Sequence, residues 1–435
     1  MKLQYASITA ICLTISATLA AGADWTHWRG PDYNGSSDET NLPENWSKTK
    51  NIAWSTDLPG AGSSTPIVSG KHIFLTSTAN ELKEVRAICI ASETGKILWS
   101  KTIGVGRKAP QNNMATPSPV TDGKIVYFLC GTGEITATDF KGKTIWSRKL
   151  EKDYGRFAVK FGYSSSPLLY DGKLFISLLR EPDRVKKESP GETRTESFLL
   201  ALDPANGKEI WKKTRYTPAK QESLDTYGSP IPCEIGGVKS VVLGGGDLIT
   251  CNNAATGAEM WRHDYGQSDR KTRWRLIPTV TVTDSVVVLP WPRGTSGLFA
   301  ITPPKTTGAK PAAAWTIKSS APDVCTSLYY KGLLYVLDGK RKASLSCVDP
   351  KSGKVHWSKK LTGKPIWRAS PTGADDKIYC MSMAGEVSII AAGKTLKVIS
   401  DGKIDMDSRD CMSMIVPTNG SLLIRTLEKL YCVRK

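Results

Sequence analysis

One short pattern returns along this chain and leaves few folds open to it. ALDPANGKEIW (201–211) reads as strand, tight turn, strand. CIASETGKILW (89–99), ATDFKGKTIW (137–146), CNNAATGAEMW (251–261) and CVDPKSGKVHW (347–357) repeat it. Weaker copies end at Trp315 and near Val398, and a lone strand, NIAW, ends at Trp54. A second pattern precedes each copy, clearest in ATPSPVTDGKIVYFL (115–129) and YSSSPLLYDGKLFISL (163–178). It joins a short strand to an alternating apolar strand through a Gly- or Asn-containing turn, which is a hairpin signal.

Eight units of two hairpins each fit an all-β fold, an eight-bladed β-propeller with four antiparallel strands per blade. The chain stops on LYCVRK, which aligns with a third strand and has no fourth. NIAW would supply it, so the last blade is expected to be closed by an N-terminal strand. A parallel β-solenoid is the alternative, but its repeats are shorter and need no such split. Within the motif, Asp203 can bond its own turn amides, Pro204 presets φ, Gly207 allows the left-handed conformation, and Trp211 can wedge between blades. Cys89, Cys251, Cys347 and Cys432 stand where Ala137 and Ala201 stand, which suits small buried thiols.

The first 23 residues read as a signal peptide: Lys2, an apolar run from about Ala6 to Ala20, and an A-x-A site at 21–23. Residues 24–50 would be an arm packing on the propeller, on its wall or, alternatively, as a lid. Residues 51–435 would be the propeller itself. The expected product is a soluble, monomeric, periplasmic or extracellular protein with no membrane span and no intracellular nucleic acid as partner. Without Cys12 an odd number of cysteines remains, and no CxxC or adjacent pair occurs. His27, His72, His263 and His356 lack ligand spacing, and there is no nucleophile elbow, phosphate loop or HExxH. No metal site and no catalytic residue is therefore assigned.

The net charge of +18 falls mostly in the interblade loops. RHDYGQSDRKTRWRLIP (262–278) carries Arg270, Arg273 and Arg275 around Trp274, and KPIWRASP (364–371) carries Lys364, Trp367 and Arg368. Arginine beside an aromatic ring suits carboxylate, sulfate or phosphate recognition; a solvated basic rim is the other reading. Aligning the repeats places Ser63, Thr116, Ser164, Tyr227, Arg275, Cys325, Arg368 and Cys411 around the channel mouth. The polar insertion 180–197 should project from the same face.

The two motifs together resemble the PQQ-type propeller repeat of quinoprotein dehydrogenases and of the propeller lipoprotein in the outer-membrane β-barrel assembly machinery. WTHWRGPDYNG (25–35) is similar to the start of exported PQQ-repeat proteins. The resemblance implies the fold, and it implies two functions. One is a non-catalytic binding or scaffold protein, with no cofactor, holding an anionic small molecule, polysaccharide or protein segment on its basic face. The other is a PQQ-dependent alcohol or sugar dehydrogenase. That enzyme class holds PQQ between a Trp and a ring of two adjacent disulfide-bonded cysteines, beside Ca²⁺ on Glu and Asn, with an Asp as base.

Overall fold

A computed structural model describes residues 24–47, 49–266, 273–291, 297–318, 322–339, 342–363, 366–403 and 411–435. Residues 1–23, expected to be a signal peptide, lie outside the described residues, as do Arg270 and Lys364. The chain forms eight four-stranded antiparallel sheets. Their inner strands, at 67–69, 120–121, 168–170, 231–235, 281–282, 328–330, 372–374 and 416–418, number the blades one to eight. In blade eight the outermost strand is Ile52–Asp57, paired antiparallel with Lys429–Arg434 from the other chain end. The ring is thus closed by the N-terminal strand, as the orphan NIAW implied. No described helix is long and apolar enough to cross a membrane.

The motif residues work across blade boundaries. Trp146 Nε1 donates to the Pro204 carbonyl at 2.7 Å, and its ring lies where a Cβ on Gly207 would sit, 2.6 Å away, at a φ of +70°. The turn glycine is therefore required twice, by its backbone conformation and by the indole of the preceding blade. Trp54, Trp99, Trp211, Trp315 and Trp357 make the same bond to the next blade's turn. Between these contacts, alternating apolar residues of facing sheets build the core.

The arm does not run along the outer wall. It crosses the inner strands at the channel end away from the interblade loops. Val68 N donates to Trp25 O at 2.8 Å, Thr121 N to Thr26 O at 3.2 Å, and Gly373 N to Gly35 O at 3.0 Å. Tyr33 Oη donates to Leu169 O at 3.0 Å. Arg29 is buried and donates to the Asn34 and Ser327 carbonyls at 2.5 and 2.8 Å. The arm then leaves between blades seven and eight, where Leu42 and Trp46 pack and Glu39 accepts from the Asn419 and Gly420 amides.

His27 is buried in this plug. Burial, and then the Arg29 charge, lower its pKa to about 3 against the pull of the Pro167 carbonyl. The unfolded chain takes up that proton near the ordinary value of 6.5, so between 6.5 and 3 acid favours unfolding. The His27 contribution to stability should fall by up to ~1.4 kcal/mol per pH unit on acidification through this window, opposed by Asp225, whose carboxyl burial raises to about 7 so that the folded chain takes up that proton first. Replacing His27 with Asn should remove this contribution, so that between pH ~6.5 and ~4.5 the variant gains stability relative to the parent as the pH falls. An unchanged slope would remove His27 as its source.

Candidate functional site

The interblade loops surround a cavity of about 340 Å³ at the channel mouth. Its wall follows from strand alternation. Each blade contributes one side chain and, two positions on, a second: Ser63 and Thr65, Thr116 and Ser118, Ser164 and Ser166, Tyr227 and Ser229, Ile277 and Thr279, Val324 and Thr326, Arg368 and Ser370, Met412 and Met414.

The second members form a hydrogen-bonded belt. Thr65 N donates to Ser118 Oγ at 2.9 Å, Ser118 N to Ser166 Oγ at 3.0 Å, and Ser166 N to Ser229 Oγ at 2.8 Å. Ser229 N donates to Thr279 Oγ1 at 2.9 Å, Thr279 N to Thr326 Oγ1 at 3.0 Å, and Thr326 N to Ser370 Oγ at 3.0 Å. Met414 N returns to Thr65 Oγ1 at 3.3 Å. Met414 brings no hydroxyl, so the belt opens between blades seven and eight. The Ser and Thr of the S-P motif therefore tie neighbouring blades. With an acceptor lone pair engaged by an amide, each hydroxyl can donate its proton toward the channel.

Of the residues singled out in the sequence, Arg275, Arg368 and Tyr227 line the cavity, and Ser63, Thr116 and Ser164 join them. Cys325 and Cys411 do not. Val324 and Met412 take the lining positions, because those two repeats align one residue away, and a one-residue shift turns a strand side chain to the other face. Cys325 is buried and its thiol donates to Trp367 O at 3.2 Å. Trp274 and Trp367 are also buried and do not line the cavity, while Arg273 is exposed outside it. Arg275 enters from two positions before the blade-five pair, which places its guanidinium 4.5 Å from the Phe161 ring centroid.

Glu222 pairs with Arg275 Nη1 and with Lys160 Nζ. Burial alone would raise the Glu222 carboxyl, but the bonds and charges of Lys160 and Arg275 hold it below the usual range. The insertion 180–197 does not project freely. It forms a helix, Pro182–Glu188, with Val185 buried, and docks on the same rim. Asp225 joins it there, accepting from the Lys160 and Glu181 amides at 3.0 Å each. Burial pushes this carboxyl up to about 7.

Two parts of the site carried no signal in the repeat. Trp28, from the arm, reaches up the channel to line the cavity from below, with the Arg29 guanidinium 5.5 Å from its ring centroid. The blade-one loop crosses the mouth: Asn112 N donates to Phe161 O at 3.1 Å, and Arg368 Nη1 reaches Gln111 Oε1 at 3.4 Å. Both segments lie outside the repeats, where alignment is blind. Asp323 is the acidic residue among the described lining residues.

Two lining donors stand without an acceptor. Arg275 Nε and Trp28 Nε1 are buried and unbonded. The quinoprotein arrangement is not reproduced by these residues. The described cysteines are free, none is adjacent in sequence to another, and no group of three or more His, Cys, Asp or Glu among the described residues could hold a metal.

Comparison with known proteins places the chain. The family model described as outer membrane protein assembly factor BamB, of the PQQ-repeat type, matches residues 43–180 and 195–302, more than half of the sequence. The chain belongs to this family. Among curated proteins, none matches in sequence. Solved structures share the fold. BamB from Moraxella catarrhalis superposes with a TM-score of 0.60 at 15% identity, covering 88% of this chain and 99% of that one. A europium-containing methanol dehydrogenase gives 0.64 at 12% identity, covering 93% and 90%. Quinohemoprotein alcohol dehydrogenase from Comamonas testosteroni gives 0.65 at 12% identity, covering 94% and 80%.

Proposed function

We propose that this is an exported, non-catalytic binding protein that takes a carboxylate-bearing group into the channel mouth. The ligand is an anionic small molecule or the acidic end of a protein segment. The carrying observation is one cavity lined by Arg275, Arg368 and Trp28, with Arg275 Nε and Trp28 Nε1 buried beside it without a partner. An unsatisfied buried donor costs ~1–3 kcal/mol, which a ligand oxygen would offset. Glu222 occupies the Nη1 corner of Arg275, while Nε is buried and without a partner, so an oxyanion would reach it only after the side chain turns. Arg368 adds a second guanidinium, and the hydroxyl belt adds neutral donors. Likeness to an outer membrane protein assembly factor supports a binding role in the cell envelope.

Calorimetric titration with citrate and with a peptide ending in Asp-Glu tests the reading. Binding should weaken ~10- to 100-fold in Arg275→Ala and in Arg368→Ala, the worth of a charge-assisted hydrogen bond. Trp28→Phe, which keeps an aromatic ring and removes the donor, should weaken it by less than ~10-fold. Saturable binding of neither probe would sink the proposal. Dye-linked alcohol oxidation by protein loaded with PQQ and Ca²⁺ would replace it with the dehydrogenase reading. Export is checked separately, by finding a mature N-terminus at Asp24 in the periplasmic fraction.

A further inference from the structure

Blade four carries a second cluster, remote from the mouth and independent of the reading above. Cys233 lies on its inner strand, Ile231–Ile235, and Cys251 on its third strand, Leu248–Asn253. Between them runs Val238–Gly245, in which Ser240 pairs with Cys233 and Val242 with Cys251. Ser240 and Val242 are two apart, so both cysteines share one sheet face. Their sulfurs are 3.9 Å apart. On that face Ser240 Oγ also contacts the Met260 thioether, at 2.9 Å. Cys233 is the one cysteine among the described residues that is not fully buried, which leaves the cluster reachable.

The pair is not a disulfide waiting to form. Two strand spacings separate the backbones by roughly 9.6 Å, beyond the ~7 Å a disulfide tolerates. The sulfur spacing does suit a shared cation. With metal–sulfur bonds of ~2.3 Å, sulfurs 3.9 Å apart subtend an angle of about 116°, close to trigonal. Two thiols and a thioether are soft donors, which select Cu(I)-like ions over hard or imidazole-loving ones.

We propose that Cys233 and Cys251, with Met260 as third donor, bind one soft monovalent d¹⁰ cation, Cu(I) or its stand-in Ag(I). Two S–H protons pass to solvent as two metal–thiolate bonds form, and the thioether donates a lone pair without losing a proton. No electron moves.

The test is anaerobic competition of the full folded chain with a bathocuproine–Cu(I) complex, read by the chelator's visible absorbance. The parent should withdraw one equivalent. Cys233→Ser should lose it while keeping the parent's thermal midpoint, because the residue is only partly buried and serine is close to it in size. Cys251→Ser should lose it as well, and Cys233→Ser decides alone if that variant does not fold. Met260→Leu should keep the thiolate-to-metal absorption but release the ion at lower chelator concentration. Equal withdrawal by Cys233→Ser, or no withdrawal by the parent, overturns the proposal. So does an isolated protein two hydrogens lighter, with Cys233 and Cys251 joined.

Discussion

A chain that begins at Leu58 will lose more than ~4 kcal/mol of stability and unfold over a broadened transition. Such a chain lacks the arm and its contacts with the inner strands, and also the strand that closes the ring. Ile52–Asp57 is the outer strand of blade eight and pairs with Lys429–Arg434 along its whole length. Without it, Lys429–Arg434 becomes an exposed edge, and the groove between blades eight and one loses Trp54. That side chain donates to Ser92 O at 3.1 Å and covers Gly95, whose absent Cβ would lie 2.5 Å from the ring. Trp54→Ala in the intact chain should account for about 3 kcal/mol of the loss. Denaturant melts of both variants would show it. A truncated chain with the parent's midpoint and slope would mean that the ring does not depend on this closure.

Arg425→Met should cost at least ~3 kcal/mol although it removes a buried charge and preserves much of the volume. Arg425 is 1% exposed on the second strand of blade eight, and its partners lie on blade one. It donates to Ser64 O at 2.7 Å, Ser64 Oγ at 2.5 Å and Thr76 O at 2.7 Å. Replacing a buried ion pair by apolar groups can be neutral, but here the partners are neutral oxygens that stay behind. Burial lowers the guanidinium pKa to about 9, so the group is still charged at neutral pH and its bonds are charge-assisted. A midpoint within experimental scatter of the parent would show that water satisfies those oxygens instead.

Both effects fall on the joint between the chain ends, which ALDPANGKEIW and its copies made legible. A period of two in the strands and a turn glycine before each Trp are local properties, so counting them gives strands, blades and closure. Counting also led to Arg368 and Tyr227, because the residues just before an inner strand face the channel wherever the repeats align, and to Arg275, whose slip of two positions kept it on the channel side. It misplaced Cys325 and Cys411 by one residue. Alternation punishes such a slip completely: the thiols turn to the packed face, and Val324 and Met412 meet the cavity. Trp274 and Trp367 looked like partners for the arginines beside them, yet both rings are buried away from the cavity that Arg275 and Arg368 line.

What the sequence determined alone was the architecture, since each hairpin's pattern is written within a dozen residues and repeated often enough to correct for any weak copy. Only the tertiary structure decided the site. Trp28 reaches the cavity because the arm crosses the inner strands of blades one, two, three and seven. Gln111 meets Arg368 from the loop that follows blade one. Cys233 and Cys251 become a pair through the register of a strand between them. These contacts join segments far apart in the chain, and no local periodicity encodes them.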